Sequence, residues 1–204
     1  MHRKTIPGGK NDTFQITWKP YYLNPDINSG SQDVLEVMNR RMGPDRMAMI
    51  ISRLKHLGQQ EGINFQFGGK TGNTRDAHRL IHLSSINSSS QGGEGGSEDR
   101  GTVHDRVVEK LFSLYFEENK DIRDVEVLKK VGIEAGLNAA EVTKWMESDL
   151  GGTTVDEQAT QARRQLHVSG VPTFLIQDGE YRLDGAQDAQ DFLEVFGKVK
   201  GGET

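Results

Sequence analysis

Pro172 constrains what this chain can fold into more than any other residue. It has no N–H to offer a β ladder, and its ring pushes Val171 out of the helical region, so it belongs at the first position of a strand. The neighbouring residues agree. Val171–Ile176 is a short apolar run, Gln177-Asp178-Gly179 is a turn sequence, and Glu180–Leu183 is extended again. Two β-prone runs joined through Asp178-Gly179 predict a hairpin. Spacing alone favours a trans Val171–Pro172 bond, since only about 5–6% of X–Pro bonds in folded proteins are cis.

Most of the remaining chain has helical periodicity. Phe14-Gln15-Ile16-Thr17-Trp18 is the exception, alternating apolar and polar residues like a strand before Pro20. Tyr21–Asp26 then reads as an extended, proline-punctuated segment. Ser31 is placed to cap a helix over Val34, Leu35, Met38 and Met42, ended by Gly43. Pro44 suits the first turn of a second helix, whose face is Met47, Ile50, Ile51, Leu54 and Leu57. Ile63, Phe65 and Phe67 alternate briefly before Gly68–Gly72, and Asn73 or Thr74 then caps a third helix. Between Ser84 and Gly101, eleven of eighteen residues are Ser or Gly. Such a stretch cannot offset its ordering entropy, so a disordered loop is expected over 84–101. Thr102 restarts a helix through Val107, Val108 and Leu111, and Asp124 opens another. Asn138 with Glu141, and Thr154 with Glu157, have capping-box spacing ahead of two more. Asp188 caps a last helix that frays from Lys198. No internal repeat is present.

At 204 residues the chain suits one domain carrying an inserted subdomain. Its net charge of −5 lacks the basic excess of nucleic-acid binders, so no such partner is expected. No apolar run reaches the length of a membrane span. The basic start, MHRKTIPGGKNDT, has no apolar core of a secretory signal, and a cytoplasmic location is expected. The cysteine count is zero, which removes disulfides, thiolate metal sites and any cysteine nucleophile from this chain.

Four separated stretches carry a resemblance. They are Trp18-Lys19-Pro20-Tyr21-Tyr22-Leu23-Asn24-Pro25, then Asn73-Thr74-Arg75-Asp76-Ala77-His78-Arg79-Leu80-Ile81. Val107–Phe112 follows, with Tyr115-Phe116 and Asp121-Ile122, and last comes Gly170-Val171-Pro172-Thr173-Phe174-Leu175-Ile176 with its Gly185-Ala186-Gln187 turn. In this order they resemble the DsbA-like thioredoxin-fold family. The likeness is nearest to the FrnE-like branch, which is related to 2-hydroxychromene-2-carboxylate isomerase. The resemblance implies an α/β, thioredoxin-like fold with a large all-helical insertion. Residues 1–30 and 155–204 would form the core and 31–154 the insertion. It implies a cis Val171–Pro172 bond, facing a Cys-x-x-Cys that this chain does not contain. It also implies that the first core strand and helix are missing, the chain starting about where that helix ends, near Lys4 to Gly9. The missing strand would pair with Phe14–Trp18 on one side and Thr173–Gln177 on the other. Two explanations stand, an incomplete gene product or a shortened paralogue that pairs its strand edges with a partner.

The implied substrate site comprises Val171, Pro172 and Thr173 in the loop, with Asn73 and His78 on the helical insertion. The Val171 N–H and C=O would accept an extended peptide as an added strand. No catalytic residue and no metal ligand is assigned. His78 and His82 share a helix face, but Arg79 stands where a metalloprotease needs Glu, and no third ligand is near in sequence. Gly69-Lys70-Thr71 lacks the earlier glycine of a phosphate loop, where Asn64 stands, and reads as a turn. Ser169 has no paired base. The Met-rich helices suit adaptable packing. The function implied is that of the thiol–disulfide oxidoreductase class, without the redox cysteines and so without its activity on this chain. The alternatives are a non-catalytic, chaperone-like peptide-binding module, or a glutathione-dependent isomerase or transferase relative. Glutathione is the one cofactor left open. The partner expected is an extended or unfolded peptide or a small thiol, and exposed strand edges would also allow a homodimer.

Overall fold

Polar side chains open several helices of this chain, because the first backbone N–H groups of a helix have no partner within it. In the computed structural model, the described residues are Gly9, 12–23, 30–90 and 102–201. Asp33 accepts from the N–H groups of Leu35 and Glu36 at 2.9 and 3.2 Å and opens α1, Val34–Met42. Ser31 is not the cap. The residues between it and the helix form β1, Gln32–Asp33, which pairs antiparallel with β2, Lys70–Thr71, so the nearer carboxylate takes the role. Lys70 and Thr71, read above as a turn, are therefore a short strand. Pro44 stands in the first turn of α2, Pro44–Glu61.

Asn73 accepts from the Arg75 N–H at 2.9 Å where α3, Arg75–Ser90, begins. Thr102 and Asp105 cap reciprocally at the start of α4, Val103–Phe116. Asp124 opens α5, Val125–Glu134, and Asn138 opens α6, Ala139–Met146. α7, Gly152–Arg164, starts two residues before the expected Thr154. Gly151 turns the chain with φ +74°, and Gly152 donates to the Asp149 carbonyl at 3.0 Å, so the turn is complete before Thr154 is reached. β3, Thr173–Ile176, and β4, Tyr181–Asp184, form the expected hairpin, and α8 runs from Ala189 to Gly201, without fraying at Lys198.

Two further expectations are corrected. The disordered loop does not begin at Ser84, because α3 continues through Ser90; residues 91–101 lie outside the described residues. Ser84 and Ser85 do not oppose the helix, because their hydroxyls turn back onto it. Ser84 donates to the Ile81 carbonyl and Ser85 to that of His82, while the Asn87 amide reaches Leu83. Ser84 is also fully buried, 2.9 Å from Nδ1 of buried His104. Phe14–Trp18 is not a strand. A strand needs a ladder, and among the described residues none pairs with it; Phe14, Ile16 and Trp18 are all exposed. Asn24-Pro25-Asp26, the end of the adjoining extended segment, lies outside the described residues, as does the start near Lys4.

The chain divides into two units, residues 24–158 and residues 1–23 with 159–204. In the first, Ala77, Leu80 and Leu83 of α3 pack with Val107 and Leu111 of α4, Leu128 and Val131 of α5, and Val142 and Met146 of α6. These positions repeat at three and four residues, which is why the sequence revealed the faces. Burying a leucine as fully as Leu80 or Leu128 contributes about 1.5–3 kcal/mol. The packing closes around Gly132, where a Cβ would meet Leu80 at 3.0 Å and Val142 at 3.1 Å. In the second unit, Phe174 of β3 meets Phe192 of α8 edge-on at 4.9 Å. The 12–23 segment is tied to this unit by side chains: Lys200 to Asp12 at 2.7 Å, Phe14 against Phe196, and Arg163 to the Tyr22 carbonyl at 2.6 Å.

One buried charge holds the helical unit. Arg79 is 2% exposed and donates to the Leu150 carbonyl at 3.0 Å, the Trp145 carbonyl at 2.6 Å, the Ser148 carbonyl, and the Asp76 carboxylate at 2.8 Å. Trp145 returns a bond from its indole to the Arg79 carbonyl at 3.1 Å. The guanidinium fork thus fixes the end of α6 to α3. Replacing Arg79 by Ala leaves these carbonyls and Asp76 without their shared partner, and is expected to lower the unfolding free energy by about 1–3 kcal/mol in urea titrations. Arg79→Lys should recover only a minor part, because an ammonium cannot span the same acceptors.

Candidate functional site

The loop before the hairpin is shaped by its own unit. α7 ends as Leu166 N–H bonds the Gln161 carbonyl at 3.1 Å and Val168 N–H bonds that of Ala162 at 2.9 Å, with His167 in the left-handed region at φ +50°. Val168 is buried; Val171 is 50% exposed. The Val171–Pro172 peptide bond is cis.

Hairpin register decides which backbone groups of the loop are available. Thr173 lies opposite Asp184, Phe174 opposite Leu183, and Ile176 opposite Tyr181. The Pro172 carbonyl accepts from Gly185 N–H at 2.8 Å, so it points toward β4. In an antiparallel ladder successive residues aim their backbone groups to opposite sides. Phe174 and Ile176 therefore serve β4 together with the Pro172 carbonyl, while Thr173 and Leu175 present N–H and C=O to the outer edge. Among the described residues no strand occupies that edge. The side chains split likewise. Phe174 meets α8, whereas Leu175 is exposed on the other face; Val171, ahead of the strand, is exposed as well.

Arg182 and Asp184 share that other face and were not singled out in the sequence. Arg182 donates through Nε and Nη2 to both Asp184 oxygens at 2.8 and 2.9 Å, through Nη1 to the Leu166 carbonyl at 2.6 Å, and through Nη2 to the His167 carbonyl at 3.2 Å. Thr173 Oγ1 lies 2.9 Å from Asp184 and 3.0 Å from the Gly170 carbonyl, and its single proton serves one of them at a time. The signal was available: period two places Arg182 and Asp184 on one face of β4, and the hairpin register sets them opposite Leu175 and Thr173.

Asn73 and His78 lie in the other unit, on α3 and its entry. Asn73 is exposed and its oxygen caps the helix; His78 is half-buried and its N–H bonds the Thr74 carbonyl at 3.1 Å. The motif around them is chiefly a framework. Arg75 pairs with Asp149 and with Asp156, which raise its pKa in that order, and Arg79 makes the staple described above.

Arg182, and after it Thr173, holds the Asp184 carboxyl below the ordinary 3.8. A depressed carboxyl contributes its stabilisation above the ordinary value and loses it as pH falls through the lowered one. In a carboxyl-carbon NMR titration Asp184 should have a midpoint below 3.8 that moves up in Arg182→Gln.

Comparison with known proteins accounts for this architecture. Residues 3–197 match the DSBA-like thioredoxin domain. The fold is similar to that of a probable DsbA oxidoreductase from Streptomyces coelicolor, with a TM-score of 0.74 and 24% identity, over 89% of this chain and 73% of that one. It is also similar to 2-hydroxychromene-2-carboxylate isomerase, with a TM-score of 0.53 and 19% identity, over 82% and 75%. In sequence, the chain is 28% identical over 69 residues to YwbO, an uncharacterised protein of Bacillus subtilis. That match spans 34% of this chain and 34% of the relative, about a third of its length. The fold is accordingly α/β and thioredoxin-like with a helical insertion. The chain belongs to the DsbA-like thioredoxin domain family.

Proposed function

We propose that this protein, of the FrnE-like branch of the family, holds extended or unfolded peptides at the outer edge of β3 and does not itself exchange disulfides. Thiol–disulfide exchange needs a thiolate, and the chain has no cysteine. The observation that carries the binding role is the register. The exposed Val171 stands just ahead of an edge that offers backbone groups at Thr173 and Leu175. A peptide added there gains main-chain hydrogen bonds whatever its sequence. Its side chain opposite Leu175 meets an apolar neighbour, and that opposite Thr173 meets a hydroxyl. Such a site suits an unfolded chain better than a small thiol, which has no strand to pair.

Reduced, carboxymethylated α-lactalbumin, which cannot refold, is a suitable probe. Fluorescence anisotropy should show it binding, and Val171→Pro, which removes the N–H just ahead of the edge, should weaken binding about tenfold or more. A dithiol reductase assay should stay at background. No binding by the native sequence, or dithiol activity comparable to a Cys-x-x-Cys enzyme, would overturn this reading.

A further inference from the structure

We infer that Arg182 is a positioning residue for peptide binding: it sets the place of Val171 by holding both ends of the 166–173 loop through Asp184. The inference rests on the peptide-holding reading above. Past Val168, the described backbone bonds of the loop resume only at the Pro172 carbonyl. The intervening path is fixed by side chains. At the near end the Arg182 guanidinium closes on the Leu166 and His167 carbonyls; at the far end Thr173 Oγ1 closes on the Gly170 carbonyl or Asp184. Asp184 joins the two, taking a bidentate bond from Arg182 and a hydroxyl from Thr173.

A surface ion pair by itself contributes little to stability, because water screens it and two side chains lose freedom. With a side chain 32% exposed and a partner 58% exposed, Arg182–Asp184 would rank among those if the pair were all. The difference lies in what else the guanidinium holds. Its planar fork reaches a carboxylate on one side and two carbonyls on another, which an ammonium cannot do. Its effect should fall on the loop's order before binding, and hence on affinity, more than on global stability. The fold itself is anchored elsewhere, by Phe174 on Phe192 and by the hairpin ladder.

The experiment measures three quantities for the native sequence, Arg182→Gln and Arg182→Lys: affinity for reduced, carboxymethylated α-lactalbumin, amide exchange at Val168, and the thermal unfolding midpoint. Arg182→Gln should bind about tenfold more weakly and exchange faster at Val168, with its midpoint nearly unchanged. Arg182→Lys keeps the charge beside Asp184 but not the span, and should also bind more weakly; it decides the matter if the Gln variant fails to fold. Unchanged affinity in a folded variant would overturn the inference while leaving the peptide-holding reading intact. A lowered midpoint with unchanged affinity would do the same, showing a structural role only. If the native sequence fails to bind, the reading falls and this inference with it.

Discussion

A guanidinium removed from water must be surrounded by acceptors, and the helical unit is arranged to provide them for Arg79. Three consecutive-turn carbonyls, from Trp145, Ser148 and Leu150, converge on one side chain, with Asp76 supplying countercharge. These carbonyls belong to the end of α6 and the turn beyond it, where helical backbone runs short of internal donors. The arginine therefore solves two problems together. It satisfies the exit of one helix and fastens it to another, and the apolar faces of α3, α5 and α6 can then close around Gly132.

The same economy explains why the Asn73–Ile81 stretch is informative about family and less so about chemistry. Asn73 caps, Arg75 pairs with Asp149 and Asp156, Asp76 and Arg79 pair with each other, and Ala77 and Leu80 enter the core. Each residue type has a physical reason for its place. His78, read from the sequence as a groove residue, sits half-buried among neighbours whose work is structural.

Much of this was legible in the residues. The helical faces showed because their periodicity is strong, and the hairpin showed because Pro172 and Asp178-Gly179 bracket it. Helix starts were less visible. Ser31 and Thr154 have good capping chemistry, but a two-residue ladder and a glycine turn had already settled where α1 and α7 begin. Ser84–Ser90 was misread because composition treats serine as a breaker. Its hydroxyl can instead bond the preceding turn, and Ser84 has a buried histidine to meet. Phe14–Trp18 alternates as strands do, yet alternation states only that a segment can line a sheet. Arg182 and Asp184 passed unnoticed because charged residues on a short strand resemble any solvated face until the register places Thr173 and the Leu166 carbonyl beside them.

The outer side of β3, which no strand among the described residues covers, also bears on how the folded protein behaves in solution. Sheets commonly blunt a bare margin with lysine, proline or a bulge. Here Pro172 stands ahead of the margin, and the side chains along it at 173 and 175 are uncharged. Among the described residues nothing at that margin would distinguish the proposed peptide from any other extended chain, so selectivity against self-association would fall to the net charge of −5, a long-range repulsion that salt weakens. Colloidal stability and the proposed peptide capture would thus draw on one stretch of backbone, with ionic strength setting the balance between them.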